Sequence, residues 1–396
     1  MTIYERTTPM SDLTHEEAVV RARGLAPAIR ERAATAEAQR RQPEATIQAI
    51  VDAGLVRLLM PRRWGGYELP LDALVNSAIE IARADASAGW CYAFLVAHPW
   101  VLAHFSDEAQ RDVWTHRPDA LIATSFAPAG HFTSVEGGYR LSGNWPWSSG
   151  VDHCAWNMLA GLPESMDGPP RIFLLPSSDY EILDTWFVAG LSASGSKNVE
   201  VKEAFVPEHR TVLLPDLVRG QAPGAVLNTG PLYNLPLLAT FPVFLAAPLL
   251  GATLGAYETW RDTSRNRYTR MSHELVAAFS HQQIRLAEIA AEIAAAQSLL
   301  HETLDIIRTG GPLTPDRYNR VRLYYVACAR FCIQAIERLY TNSGGSANYE
   351  TNSLQRYWRD VHAMAAHIGL NFDAAGEAFG RAELGLPSNP HDPFAL

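Results

Sequence analysis

A short stretch, residues 144–157, concentrates side chains that could bind a flat, polar ligand. Its sequence is N-W-P-W-S-S-G-V-D-H-C-A-W-N, with three tryptophans, two serines, one histidine and one cysteine. Indole rings offer apolar surface to an aromatic ligand, and serine hydroxyls can donate or accept hydrogen bonds. The stretch therefore predicts one wall of a ligand site, with the rest of the site supplied by other parts of the chain.

Two histidines in apolar surroundings could carry acid–base chemistry. His98 lies in F-L-V-A-H-P-W-V-L, and His367 lies near the end of the chain in A-M-A-A-H-I-G-L. The ordinary pKa of histidine is near neutrality, so either imidazole could move a proton at the pH of the cell. Each also has a structural interpretation, because His98 could cap a helix end beside Pro99 and His367 could be a satisfied core residue.

The composition argues against several other functions. The 33 basic and 42 acidic residues give a formal net charge of −9, which does not favour nucleic-acid binding. No G-x-G-x-x-G opens a βα unit, so a Rossmann dinucleotide site is not predicted. The four cysteines form no C-x-x-C pair, and Cys328 and Cys332 would need two further ligands to hold a metal ion. We expect buried, reduced thiols in a cytoplasmic protein and no metal site.

Neither a secretion signal nor a membrane span is predicted. Residues 1–10, M-T-I-Y-E-R-T-T-P-M, contain no apolar segment of the kind found in signal peptides. The most apolar run, residues 235–257, is interrupted by Pro236, Pro242 and Pro248. We interpret this run as a buried helix with the segment that leads into it, so no membrane partner is expected.

The periodicity of apolar residues predicts helices, then strands, then helices. Apolar residues recur at three- and four-residue spacing from residue 14 to about 110 and again from about 238 onward. Between these regions, short β-like runs are separated by glycine and proline, with Gly137-Gly138 placed as a hairpin turn. Such segregation favours an α+β fold over a doubly wound sheet. We expect a helical domain over 1–119, a β domain over 120–225 and a helical bundle over 226–396.

Four phrases resemble those of acyl-CoA dehydrogenases and occur in the same order. They are D-A-G-L-V-R-L-L-M-P-R-R-W-G-G-Y (52–67), G-N-W-P-W-S-S-G (143–150), S-G-S-K-N-V (194–199) and Y-W-R-D (357–360). Together they span almost the whole chain. The resemblance implies an acyl-CoA dehydrogenase-like fold, in which an N-terminal helical domain, a middle β-barrel and a C-terminal four-helix bundle hold a flavin between them.

The base that a dehydrogenase needs is absent from the two places where the family carries it. Acyl-CoA dehydrogenases use a carboxylate to remove the proton next to the thioester. It lies nine residues after the arginine of the Arg-Asp pair or on a bundle helix. Counted from Arg359, the first position is Ile368, and the second falls at or near Phe241. Neither residue is acidic, so an acyl-CoA dehydrogenase-type flavoprotein is the alternative interpretation.

The C-terminal phrase instead resembles flavin-dependent monooxygenases that share this fold. Residues 359–371, R-D-V-H-A-M-A-A-H-I-G-L-N, are similar to their C-terminal signature, as are A-G-W at 88–90 and W-S-S-G-V-D-H at 147–153 to other segments. These proteins are oxygenase components of two-component systems, similar to p-hydroxyphenylacetate hydroxylase. The resemblance implies reduced FMN or FAD from a separate NAD(P)H-dependent flavin reductase, O2 as co-substrate and a C4a-hydroperoxyflavin.

The same resemblance implies a substrate class and an assembly. We expect hydroxylation of a small phenolic or heteroaromatic molecule by a homotetramer. Relatives that oxidise sulfur or nitrogen share the fold, so the oxidised atom stays open. A flavin-free binding protein on the same scaffold is a third interpretation, and the presence of Ser149 and His367 argues against it.

Individual residues also receive roles from the resemblance. His367 is expected to carry acid–base work, and His98 to point into the substrate cavity. Ser149 is expected to contact flavin N5, with Trp147 beside the ring and Ser125 on its pyrimidine side. Two structural alternatives stay open, namely that Ser149 only terminates a strand and that Trp147 is core.

A second group of residues is expected to hold the flavin phosphates. It comprises Arg267 and the S-G-G-S loop at 343–346, with Gly344 and Gly345 at its centre. In this fold a neighbouring subunit commonly completes the phosphate site. The resemblance therefore implies that these residues act across a subunit boundary.

Overall fold

The structure is a computed structural model that describes residues 12–392. The first ten residues, for which the sequence predicts no signal peptide, lie outside the described part of the chain. Buried apolar side chains from the helices, the sheet and the C-terminal bundle join in one continuous core.

Between residue 12 and the sheet, the structure has five α-helices. They are α1 (His15–Gln39), α2 (Glu44–Asp52), α3 (Leu71–Ala82), α4 (Ala86–Leu102) and α5 (Asp107–Trp114). Every residue of α4 is buried, because this helix is apolar on all sides and its neighbours cover it completely. The Asp85 side chain caps its first turn by accepting a hydrogen bond from the Ala88 N–H. A core helix of this kind is a rigid support for side chains that face a site.

Seven strands form the middle of the chain. They are β1 (Ile122–Val135), β2 (Gly138–Ser148), β3 (Trp156–Pro163), β4 (Arg171–Pro176), β5 (Glu181–Leu183), β6 (Lys197–Pro207) and β7 (Thr211–Leu213). Their order in the sheet is β5-β6-β2-β1-β3-β4-β7, and only β1 and β3 pair in parallel. Gly137, with φ of 76°, makes the predicted hairpin turn between β1 and β2. Strand β1 is continuous from Ile122 to Val135, with a register shift between Ser125 and Gly130.

Between the sheet and residue 392, the structure has seven α-helices. They are α6 (Leu214–Arg219), α7 (Leu237–Thr240), α8 (Val243–Asn266), α9 (Ser280–Ile307), α10 (Pro315–Thr341), α11 (Ser353–Ala365) and α12 (Phe372–Glu383). The central helix α8 packs against α3, α4, α10 and α11. Within the described chain, the stretch Leu237–Asn266 is long and apolar enough to cross a membrane, but 78% of its most apolar window is buried in protein. It is the buried helix that the sequence predicts.

The arrangement of helices, sheet and helices is the α+β architecture that the sequence and its resemblance imply. Helix α4 contacts both β1 and α8. It therefore lies where the middle sheet meets the C-terminal bundle, and its side chains can contribute to a site between them.

Candidate active site

An aromatic row along α4 links the two histidines singled out from the sequence. Trp90, Phe94 and His98 are four residues apart and therefore share one face of the helix. Their ring centroids are 5.2 Å apart for Trp90 and Phe94 and 5.6 Å apart for Phe94 and His98. His367 joins the other end of the row, 6.0 Å from the Trp90 ring. The structure thus brings His98 and His367 to opposite ends of one row, which spans about 12 Å of helix from Trp90 to His98.

His98 connects α4 to β1 through both ring nitrogens. Its Nδ1 lies 2.5 Å from the Ile122 carbonyl oxygen, which can only accept, so Nδ1 carries the proton. Its Nε2 lies 3.1 Å from Thr124 Oγ1 and therefore accepts the hydroxyl proton. Burial lowers the pKa of His98 to about 4, because a charged imidazole would lose its hydration. His98 is thus a neutral ring with both nitrogens hydrogen-bonded, Nε2 as the acceptor, and it does not cap a helix end, since α4 continues to Leu102.

His367 has the opposite tautomer. It lies in the turn after α11, where its Nδ1 accepts a hydrogen bond of 3.0 Å from the Gly369 N–H. The proton of the neutral ring must then be on Nε2. Burial lowers the pKa of His367 to about 4. The sequence led us to expect that this ring titrates near neutrality. In the structure it is instead a neutral hydrogen-bond donor, since desolvation disfavours its charged form.

The buried neutral state of His98 predicts a loss of stability in mild acid. The unfolded chain protonates this histidine below about pH 6.5, and the folded chain only below about pH 4. Between these values the unfolded state holds more protons, so the free energy of unfolding falls as pH decreases. We expect His98 to account for up to ~3 kcal/mol of this fall.

Urea unfolding of flavin-free protein from pH 7 to pH 5 measures this effect in the wild type and in His98→Asn. The asparagine amide can still donate towards the Ile122 carbonyl but cannot titrate. The variant should be less stable at pH 7 and should lose less stability on acidification. Equal losses in the two proteins would exclude His98 as the titrating group.

Ser149 is half-buried and held by two partners. The Trp90 Nε1–H donates to Ser149 Oγ at 3.2 Å, and Ser196 Oγ lies 2.7 Å away on the other side. Gly150 follows with φ of 69°, and its N–H donates to the Ser194 carbonyl. Ser148, the last residue of β2, has a different partner, because its buried hydroxyl accepts from Asn157 Nδ2. Ser149 is therefore built into the row's Trp90 end and does more than terminate a strand.

Trp147 is an exposed aromatic ring beside this serine. Its side chain is 65% exposed, whereas Trp145 is fully buried, so Trp147 is not a core residue. Its φ of 64° lies in the left-handed region, which non-glycine residues adopt at a cost. Ser125, on the neighbouring strand, donates to the Pro146 carbonyl at 2.7 Å. A strained backbone that presents an indole next to a half-buried hydroxyl fits a flat ring ligand such as a flavin.

Arg267 and the glycine loop meet each other, but far from Ser149. Arg267 Nη1 donates to the Ser343 carbonyl at 2.5 Å, and its buried Nε has no hydrogen-bond partner among residues 12–392. A side chain added at Gly344 or Gly345 would meet no atom within 4 Å, so this loop is open. Arg267 follows the last residue of α8, whose 24 residues span about 36 Å from their start beside the aromatic row. This corner therefore lies at the opposite end of α8 from the aromatic row.

The positions at which a dehydrogenase carries its base hold apolar residues. Phe241 packs against Phe94 and Phe126, with ring centroids 6.1 and 5.6 Å apart. Ile368 is 62% exposed and borders His367. Phe241 and Ile368 therefore give the site an apolar wall, and neither position carries a carboxylate. Trp90 and Phe94 were not predicted as members of the site, although their spacing of eight and four residues from His98 was a usable signal.

The remaining polar residues named from the sequence have structural partners. His153 contacts the Glu44 carboxylate and the Gln42 carbonyl, and His362 contacts the Glu337 carboxylate. The four cysteines are buried and free. In the part of the chain that the structure describes, no group of three or more His, Cys, Asp or Glu side chains could hold a metal ion.

Comparison with known families matches both helical parts of the chain. Residues 15–117 match the family described as acyl-CoA dehydrogenase, N-terminal domain. Residues 243–372 match the family described as acyl-CoA dehydrogenase, C-terminal domain. The fold implied by the resemblance is thereby confirmed.

Individual relatives are similar along almost their whole length. An FADH2-dependent resorcinol hydroxylase, oxygenase component, from Rhizobium sp. is 36% identical over 96% of this chain and 96% of its own. The flavin-dependent monooxygenase, oxygenase subunit HsaA, from Rhodococcus jostii is 35% identical over 92% of this chain and 97% of its own. The structure of XiaF from Streptomyces sp. in complex with FADH2 and glycerol is 27% identical, with a TM-score of 0.88, and covers 95% of this chain and 98% of its own.

Proposed function

The chain belongs to the acyl-CoA dehydrogenase family and, within it, to the flavin-dependent monooxygenases, and we propose on that premise that it hydroxylates a small phenolic or heteroaromatic molecule. It is then the oxygenase component of a two-component system and uses reduced FMN or FAD with O2. One observation carries this proposal. The indole of Trp90 contacts His367 and donates a hydrogen bond to Ser149, so the residues assigned to oxygen chemistry and to the cofactor meet at one side chain.

The reaction places one atom of O2 in the product. Reduced flavin supplies two electrons and makes oxygen electrophilic, so that one oxygen atom enters an aromatic C–H bond and the other leaves as water. The protein has to orient the ring, exclude water and hold protons in place. In this proposal Ser149 would contact N5 of the cofactor, Trp147 would lie beside its ring, and Ser125 would lie on its pyrimidine side.

The two histidines have complementary tasks. The Nε2–H of His367 donates a hydrogen bond to the oxygen that is transferred, and the Nε2 lone pair of His98 accepts one from a substrate hydroxyl. A phenol that gives its proton towards His98 becomes more electron-rich and is attacked more readily by electrophilic oxygen. It takes the place that the Thr124 hydroxyl occupies in the free protein. The tautomers assigned from Ile122 and Gly369 support this division of roles.

The wall of the site favours an aromatic ring over a charged or CoA-sized ligand. Phe241 packs against both Phe94 of α4 and Phe126 of β1. Aromatic rings stack on such surfaces by their edges and faces. An acyl-CoA dehydrogenase would need a carboxylate base in place of Phe241 or Ile368 to remove the substrate proton. Neither residue can act as a base, so this alternative lacks one in the site.

The proposed assembly is a homotetramer in the cytoplasm, served by a separate NAD(P)H-dependent flavin reductase. Arg267, Gly344 and Gly345 would hold the phosphates of a flavin whose ring lies in a neighbouring subunit. Their distance along α8 from the aromatic row and the unpartnered Arg267 Nε support this arrangement. The reductase is supported by relatives that are named as oxygenase components or subunits. We keep the division into 1–119, 120–225 and 226–396 as the proposed domain limits.

A reconstituted assay tests the proposal. The purified chain is mixed with FMN or FAD, a flavin reductase and NADH, and offered resorcinol, p-hydroxyphenylacetate, indole or an acyl-CoA. We expect hydroxylation of an aromatic compound only when the reductase is present. Reduction of bound oxidised flavin by the acyl-CoA, without any aromatic product, would favour the dehydrogenase alternative.

A further inference from the structure

Three serine hydroxyls form a continuous hydrogen-bonded chain behind the candidate active site. Ser149 Oγ lies 2.7 Å from Ser196 Oγ, and Ser196 Oγ lies 2.7 Å from Ser194 Oγ. Ser194 and Ser196 are 1% and 3% exposed, whereas Ser149 is only half-buried. This series of three hydroxyls therefore leads from the site into the protein interior, away from any bound ligand.

The turn that carries Ser194 and Ser196 is fixed from three sides. The Leu191 N–H donates to the Asp360 carboxylate of α11 at 2.6 Å, and Gln42 Nε2 donates to the Ala193 carbonyl at 3.1 Å. The Ser194 carbonyl accepts from the Gly150 N–H at 2.9 Å, which ties the turn to the residue after Ser149. A turn held by buried hydrogen bonds is a firm support for the side chains on it.

Within residues 12–392, the hydroxyl of Ser149 has no other protein partner besides Trp90 and Ser196. A serine side chain has three staggered rotamers, and hydrogen bonds select among them. The Trp90 contact of 3.2 Å is the longer of the two, so the 2.7 Å contact with Ser196 contributes most to the choice. Without Ser196, the Ser149 hydroxyl would spread over the other rotamers.

We propose that Ser196, supported by Ser194, is a positioning residue that holds the Ser149 hydroxyl in the orientation that the bound cofactor meets. This inference rests on the proposed flavin site. Ser196 acts only through Ser149, since its own hydroxyl is buried behind that residue. If removal of Ser196 frees three rotamers, about a third of the molecules keep the competent one, and affinity falls about threefold.

Flavin binding to four proteins tests the proposal without any turnover. Dissociation constants for FMN and FAD, oxidised in air and reduced under anaerobic conditions, are measured for wild type, Ser149→Ala, Ser196→Ala and the double variant. We expect Ser149→Ala to weaken binding of the preferred flavin on the order of fivefold, the worth of one hydrogen bond. Ser196→Ala should weaken it about threefold, and the double variant should bind like Ser149→Ala.

Non-additivity separates positioning from a general structural effect. A residue that merely stabilises the fold would weaken binding by the same factor whether or not Ser149 is present. Ser194→Ala provides a second variant, which should give a smaller loss that Ser149→Ala also abolishes. Ser192→Ala is the matched control, because Ser192 lies in the same turn but donates to the Val188 carbonyl outside the chain of hydroxyls. Its flavin affinity should equal that of the wild type.

Three results would overturn the inference. They are wild-type affinity in Ser196→Ala, losses that multiply in the double variant, and a loss in Ser192→Ala equal to that in Ser196→Ala. Thermal unfolding of each flavin-free variant confirms that the binding data refer to folded protein. A wild-type chain that binds neither flavin in either redox state would instead overturn the proposed function, on which the inference depends.

Discussion

His367→Ala should lower the yield of hydroxylated product per reduced flavin on the order of 100-fold, while flavin still binds with an affinity close to that of the wild type. The reason is the neutral Nε2–H, whose direction is set by the hydrogen bond from the Gly369 N–H to Nδ1. Removing one preorganised donor from an active site commonly costs at least this factor. The electrons of the flavin should then appear as hydrogen peroxide.

The matched control is His362→Ala, in the last turn of α11, five residues before His367. His362 contacts the Trp358 carbonyl through Nδ1 and the Glu337 carboxylate through Nε2. The structure gives it no contact with the aromatic row along α4. Its product yield should stay within about twofold of the wild type. A His367→Ala protein with wild-type yield would remove this residue from the proposed mechanism.

The same assay has a defined pH dependence. Because burial lowers the pKa of His367 to about 4, the donor state is complete throughout the neutral range. If the product yield of the wild type changes near pH 6.5, the yield of His367→Ala should change in the same way, because His367 is not the group that titrates there. Such a titration would mean that the ring is solvated and charged during the reaction.

Ser149→Ala should raise the rate of hydrogen peroxide release on the order of tenfold when reduced flavin meets oxygen without substrate. The hydroxyl at this place lies between Trp90 and Ser196 and faces the site with its remaining hydrogen-bonding capacity. In the proposed arrangement, loss of this hydroxyl removes the hydrogen-bond partner of the cofactor's N5 and lets water approach that atom. The effect on peroxide release should exceed the effect on flavin affinity.

Ser148→Ala is the control for this serine. Ser148 is the preceding residue, is fully buried and accepts a hydrogen bond from Asn157. Its removal should lower stability but leave peroxide release unchanged. Equal release rates in wild type and Ser149→Ala would show that this hydroxyl does not protect the cofactor.

The sequence predicted much of the site because the relevant residues lie in recognisable phrases. His98, Ser149 and His367 were each named from such phrases, and the periodicity of apolar residues predicted helices on both sides of a sheet. The protonation of the histidines could not be predicted, since it depends on the Ile122 carbonyl and the Gly369 N–H. Their position next to the rings appears only in the fold.

Other features were hidden for physical reasons of distance and backbone geometry. Ser196 is 47 positions from Ser149 in the sequence, so no local sequence pattern predicts their contact. Trp147 was equally consistent with core or ligand, and its positive φ and exposure distinguish these only in the structure. Arg267 and the loop at Gly344 were named together as phosphate contacts, and the structure joins them through the Ser343 carbonyl, but their place at the far end of α8 from the aromatic row could not be derived from spacing alone.

A single turnover with labelled oxygen tests the central claim most directly. The chain is loaded with reduced flavin under anaerobic conditions, in the absence of reductase, and then mixed with 18O2 and the aromatic substrate found in the reconstituted assay. The proposed function predicts one atom of 18O in the hydroxylated product and none from water. Product without label, or no product together with reduction of bound oxidised flavin by an acyl-CoA, would contradict it.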